Sequence, residues 1–226
     1  MSNNTIYKTI LAVDTSMDGC SVSLLHKNII INTLKICKKN HSDNILPMIN
    51  KILNLAKIHI KQLYSISFCK GPGYYTSIRI AFCIVKSLSL KYNLPIIGFS
   101  TFICLAEQAW RKYTATKILI AINATKKNIY WAQYIRTKDN IWTGQITESR
   151  IKINDIHKKI EDISDKWTLV GNTWNANLFK KNKKLTITGI TTPNARDIIS
   201  LSESVCVSNQ NLSNYNESII YLDEYT

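Results

Sequence analysis

The chain has 226 residues, 45% of them hydrophobic, and a formal net charge of +14. That length suits one large domain or two small lobes, and the composition excludes a disordered chain. The longest uninterrupted apolar run around position 80 is residues 80–85, far short of the roughly 20 residues of a membrane span. The opening MSNNTIYKTI has no basic start followed by an apolar run, so no secretory signal is read there and a cytoplasmic protein is expected.

Residues 10–13 read as a buried strand ending in Asp14-Thr15-Ser16. Residues 21–25 and 29–36 read as two more strands, joined by a tight turn at Lys27-Asn28. A helix is expected over residues 43–57, capped by Asp43 or Asn44. Pro47 would then fall in the first turn, where its missing N–H costs little. Its apolar residues Ile45, Leu46, Met48, Ile49, Ile52, Leu53, Leu55 and Ala56 cover close to half its circumference. A strand at 64–69 leads into Gly71-Pro72-Gly73, whose glycines allow a sharp turn without a Cβ clash. A helix over residues 76–92 follows. At about 100° per residue, Ile78, Ala81, Phe82, Ile84, Val85 and Leu88, flanked by Ile80, cover roughly 200° of it. One core needs a stripe of about 100°, so the surplus must meet a second core surface or another protein. A strand at 94–99, with Pro95 at its start, precedes a helix capped by Ser100 and running to about Tyr113.

The second half starts in the same way, with strands at 117–123, 128–136 and 141–150. A short helix at 153–160, a strand at 167–170 and a helix beginning near Thr173 come next. A strand at 185–190, a helix at 194–208 and an extended piece at 219–222 complete the reading. Three antiparallel strands followed by crossover βα units match the ribonuclease-H-like half of the actin and sugar-kinase architecture. The expected fold is therefore α/β with two lobes, residues 1–115 and 116–226. The second is smaller and degenerate, and its last helix packs back on the first lobe.

Chemistry is sparse. Asp14 and Thr15 either hold metal and phosphate, as the first hairpin does in actin-like ATPases, or satisfy local backbone N–H groups. His26, His41, His59 and His157 include no pair at i,i+4, so no metal site of the His-x-x-x-His kind is expected. Glycine patterns for nucleotides and a nucleophile elbow are missing. The six cysteines form no Cys-x-x-Cys and read as reduced, mostly buried thiols. Only five of the 29 basic residues are arginine; lysines cluster at Lys38-Lys39, Lys158-Lys159, Lys180-Lys181 and Lys183-Lys184. These suit solvated faces, and also a surface that holds RNA nearby.

Several motifs together resemble one family. Ile10 through Ser16, then Cys20-Ser21-Val22-Ser23-Leu24, His41-Ser42, and Ile45-Leu46-Pro47-Met48 look like the TsaB (YeaZ-type) family. Gly71-Pro72-Gly73 through Thr76, Arg79 and Ile80 is similar to its Gly-Pro-Gly-Ser-Phe-Thr-Gly-Leu-Arg-Ile-Gly motif, and Pro95, Gly98, Ser100, Thr101, Tyr130-Trp131-Ala132 and Gly171 continue the match. The resemblance implies a non-catalytic member of the actin-like superfamily without a cofactor. It would bind the catalytic paralogue TsaD, joined by the ATPase TsaE, in threonylcarbamoyl transfer to the adenosine beside the tRNA anticodon, and would form a homodimer when alone. The pairing surface would be the two helices at 43–57 and 76–92, through Ile45, Leu46, Ile49, Ile52, Leu53, Ile80, Ala81, Ile84, Val85 and Leu88. Gly71, Pro72, Gly73, Thr76 and Arg79 would form the structural loop; Asp14 and Thr15 would be a vestigial phosphate site. An actin-like ATPase or kinase, or a metal-dependent glycoprotease-like enzyme, is the alternative. Departures are Ser77, Ala81, Cys83 and Ser87 in place of helix glycines, Tyr74-Tyr75 in place of Ser-Phe, Asn123-Ala124-Thr125 in place of Asp-Ala-Arg, and Asp223 near the end where the family has Arg.

Overall fold

The computed structural model describes residues 8–37, 40–161, 163–174, 183–207 and 218–222. The elements are strands β1 (Ile10–Asp14), β2 (Gly19–His26) and β3 (Ile29–Ile36), helix α1 (His41–Ala56), β4 (Ser65–Cys69), α2 (Tyr75–Tyr92), β5 (Ile96–Phe99) and α3 (Thr101–Tyr113). They continue with β6 (Lys117–Asn123), β7 (Asn128–Arg136), β8 (Trp142–Thr143), β9 (Ser149–Lys152), α4 (Ile156–Glu161), β10 (Trp167–Val170), β11 (Leu185–Ile187) and α5 (Ala195–Val207). No helix among the described residues is long and apolar enough to cross a membrane.

One sheet has the order β3-β2-β1-β4-β5, with the first three strands antiparallel and β1, β4 and β5 parallel. The β2–β3 turn is Lys27-Asn28, both left-handed at φ 50° and 62°, the backbone a two-residue hairpin of this kind needs. The second sheet has the order β11-β10-β6-β7-β8, with β9 also paired to β7. This is the expected α/β fold of two ribonuclease-H-like sheets.

Alternation along the strands sorts side chains into stacked layers. Leu11, Val13, Val22 and Leu24 face α1 and α2. Ile10, Ala12, Leu25 and Cys69 face α5, with Cys104 of α3 beside them. The other side of α3, through Phe102, Leu105 and Ala109, packs on Ile118, Ile120 and Tyr134 of the second sheet. Leu119, Ala121 and Trp131 face α4. Helices α3 and α5 therefore form a middle layer between the sheets. Polar contacts reinforce it. Glu107 Oε2 on α3 accepts from Arg136 Nη1 at 2.6 Å and from Trp142 Nε1 at 2.7 Å. Arg111 of α3 reaches both carboxylate oxygens of Asp197 on α5, at 2.5 and 3.1 Å.

Three expectations are corrected. Helix α1 begins at His41, not Asp43, with Asn40 left-handed before it and no side-chain cap. The buried His41 anchors this start, its Nε2 lying 2.9 Å from Met17 O. Pro47 therefore lies inside the helix, on an exposed face where the lost bond is open to water. The strand expected at 141–150 is broken into β8, a 3₁₀ turn at Gln145–Thr147 and β9. Gly144, at φ 142°, lies so close to β7 that a Cβ would meet Gln133 O at 2.1 Å. The strand expected at 185–190 ends at Ile187, where Thr188 turns its Oγ1 to Leu169 O at 2.9 Å. The helix expected from near Thr173, and the lysines at 38–39 and 180–181, lie largely or wholly outside the described residues.

Candidate functional site

The ends of β1 and β4 and the start of α2 meet at one junction. Asp14 closes β1 and is fully buried. Its Oδ1 accepts from Ser16 N at 3.0 Å and Ser16 Oγ at 2.7 Å. Its Oδ2 is buried with no hydrogen-bond partner among the described residues. Burial pushes the carboxyl above its ordinary range, and the Ser16 bonds only partly oppose this. Thr15 Oγ1 donates to Ser77 O at 2.5 Å.

The glycine loop lies directly on this turn. Tyr74 N donates to Ser16 O at 2.8 Å, and a Cβ on Gly73 would lie 2.2 Å from the same oxygen. Gly71 takes φ 98°, its peptide to the buried Pro72 is cis, and its carbonyl accepts from Thr101 N at 2.8 Å. The loop thus ties the β1 turn, α2 and α3 together. The Asp14 and Thr15 side chains are both at 0% exposure, with Asp14 Oδ1 bonded to the turn and Thr15 Oγ1 to α2.

Helices α1 and α2 lie side by side on the outer face of the first sheet. The structure divides the expected interface residues in two. Ile45, Ile49, Ile52, Leu53, Ala81 and Val85 are buried in the chain's own core. They face the first sheet rather than solvent. Leu46 is 48% exposed, and Ile80, Ile84 and Leu88 are half-buried along the rim of the core. Beyond them α2 exposes Cys83, Ser87 and Leu90, the last at 75%. Of the loop residues, Gly71 and Pro72 are buried, Gly73 is half-buried, Thr76 is exposed in the first turn of α2, and Arg79 is half-exposed one turn further on.

A second polar cluster joins the two sheets. Ser100 Oγ and Tyr134 OH both donate to Glu148 Oε1, at 2.7 and 2.6 Å. Burial pushes the Glu148 carboxyl up, while these two donors and the nearby Lys70 pull it down. Among the described residues no three His, Cys, Asp or Glu side chains gather as a metal site would require.

The family model for TsaD, tRNA N6-adenosine threonylcarbamoyltransferase, matches residues 27–221. The tRNA threonylcarbamoyladenosine biosynthesis protein TsaB of Buchnera aphidicola subsp. Schizaphis graminum is 47% identical over 190 residues, covering 84% of this chain and 90% of that one. The protein of the same name from Escherichia coli K12 is 36% identical over 167 residues, 74% and 72% of the two chains. The chain belongs to the TsaB family. YeaZ from Pseudomonas aeruginosa, a solved structure, superposes with a TM-score of 0.82 at 25% identity, over 95% of this chain and 100% of that one.

Within the TsaB frame, three features carry no mark in the sequence pattern. Glu107 bonds partners 29 and 35 positions away and Glu148 bonds partners 14 and 48 positions away, and no local spacing signals them. The third is an arginine between two tyrosines. Tyr75 and Arg79 stand at i,i+4 on α2, a spacing that places side chains together, but Tyr221 joins them from the far end of the chain.

Proposed function

We propose that this TsaB-family chain serves tRNA threonylcarbamoyladenosine biosynthesis as a non-catalytic subunit in the cytoplasm. It docks on the catalytic homologue TsaD through the outer surface of α1 and α2, the ATPase TsaE joins that assembly, and two copies pair through the same helices when TsaD is absent. One observation carries the reading: apolar side chains left open on adjacent helices, with Leu46 of α1 and Leu90 of α2 exposed and Ile80, Ile84 and Leu88 of α2 half-buried. Small residues at Cys83 and Ser87 on α2 leave room for a partner helix to approach closely, as ridges-into-grooves packing requires.

Size-exclusion of the chain with and without TsaD tests this. A heterodimer is expected. Leu46→Asp and Ile84→Asp should each weaken pairing by about 2 kcal/mol, roughly 30-fold in Kd, the scale of an interface hot spot. Monomers in both runs, or unchanged pairing in both variants, would move the interface elsewhere. Tight ATP binding by the isolated chain, with turnover lost in Asp14→Ala, would instead make it an enzyme.

A further inference from the structure

Arg79 sits in an aromatic stack at the start of α2. Its guanidinium carbon lies 3.3 Å from the ring centroid of Tyr75 and 5.2 Å from that of Tyr221. The two ring centroids are 6.4 Å apart, with planes inclined by 46°. Arg79 Nη1 donates to Tyr75 O at 3.2 Å, which fixes the guanidinium over the first turn of the helix. Tyr221 is held in place through its neighbour, since Ile220 N donates to Lys70 O at 2.9 Å at the edge of the glycine loop.

Two properties make this more than an internal clasp. Among the described residues Arg79 pairs with no carboxylate, and its guanidinium meets two ring faces and one carbonyl. Tyr75 is 67% exposed and Tyr221 55%, so both rings present area to solvent. A planar cation between open aromatic rings offers a surface for a flat π-system and a positive charge for an adjoining anion. An unpaired nucleobase with its phosphate has both parts. Every base has a π-face, and stacking on tyrosine is how unpaired RNA is commonly held. The net charge of +14 adds long-range attraction for RNA. Paired RNA hides its base faces, so the stack selects loops and single strands.

We propose that Tyr75, Arg79 and Tyr221 form a stacking site for an unpaired RNA base. This rests on the reading above that the chain serves tRNA modification, and it names where RNA touches this subunit.

The experiment is fluorescence anisotropy with the full chain alone. The probes are a labelled hairpin RNA with an unpaired loop and a blunt duplex of equal phosphate count. The hairpin should bind more tightly. Tyr75→Ala and Tyr221→Ala should each weaken hairpin binding by about 5- to 100-fold and leave duplex binding unchanged. Arg79→Lys keeps the charge but loses the plane, and should also weaken hairpin binding, whereas Tyr75→Phe keeps the ring and should bind as the parent does. Circular dichroism of each variant separates lost binding from lost fold. Equal binding of hairpin and duplex, or parent-like hairpin binding by both alanine variants, would overturn the proposal. So would loss of TsaD pairing in Tyr75→Ala with hairpin binding intact, which would make the stack a protein contact. A chain that binds the hairpin through its tyrosines yet never pairs with TsaD would defeat the docking reading alone.

Discussion

Asp14 is a fully buried carboxyl whose Oδ1 takes both bonds from Ser16, with the Cys69 thiol also near the group. Its folded pKa lies above the ordinary 3.8, because desolvation penalises the charged form more than the Ser16 bonds favour it. The sign follows from proton linkage. The folded chain binds this proton more tightly than the unfolded chain, so the stabilising contribution is fully present below pH 3.8. It is lost as pH rises through the folded value. Asn at this position keeps an acceptor for Ser16 and stays neutral throughout. Denaturant unfolding of parent and Asp14→Asn across mildly acidic to neutral pH should therefore show the difference moving in the variant's favour as pH rises. Every tenfold gain in proton affinity on folding corresponds to about 1.4 kcal/mol. Asp197 and Glu148 are also pushed up by burial, but they are common to both proteins and cancel in the difference. A difference that stays constant with pH would mean that Asp14 is not the group whose burial matters.

At the scale of elements, α1 and α2 show what a helical pattern does and does not reveal. The apolar arcs on both helices are legible in the sequence, and the strands over residues 29–36, 117–123, 128–136 and 167–170 coincide with β3, β6, β7 and β10. Periodicity gives the width of an apolar face but not which part of it the chain's own sheet covers. That division depends on how each helix is rotated on the sheet, which is set by contacts such as Ala81 and Val85 against Leu11 and Phe68 across long sequence distances. The start of α1 is hidden for a similar reason. A buried histidine bonded to Met17 anchors it, and propensity alone would choose the acidic cap. The break at Gly144 follows from contact with β7, also invisible along the chain. The distinction between rim and core can be tested. Leu53→Asp would place an unpaired charge under α1 and should cost several kcal/mol of stability. Leu90→Asp lies on the open side of α2 and should change stability by less than about 0.5 kcal/mol while weakening TsaD pairing. Thermal melts and size-exclusion on the two variants read these effects separately. Equal destabilisation by both would mean that Leu90 is covered within the chain.

At the scale of the whole molecule, each half of the chain packs a helix against the sheet of the other. Helix α5 comes from the second half, yet it covers Ile10, Ala12, Leu25 and Cys69 of the first sheet. Helix α3 comes from the first half, yet its Phe102, Leu105 and Ala109 fill the core against the second sheet. Each half thus lends a helix to the middle layer, and neither sheet buries both faces without the other half. Charged groups secure the same layer, with Arg136 of β7 on Glu107 and Arg111 of α3 on Asp197. A chain built this way should unfold as one unit. Calorimetry of the full chain should give a single transition whose van't Hoff and calorimetric enthalpies agree. Glu107→Gln weakens two charge-assisted bonds, at a cost of about 1–2 kcal/mol. That should lower Tm by roughly 2–8 °C without splitting the transition, because the apolar layer remains. A fragment of residues 1–115 lacks α5 and leaves one face of the first sheet open, so it should bind a hydrophobic dye and show no cooperative melt. Two resolved transitions in the full chain, or a cooperative melt in that fragment, would show that the first lobe stands alone and that the shared helices are dispensable to it.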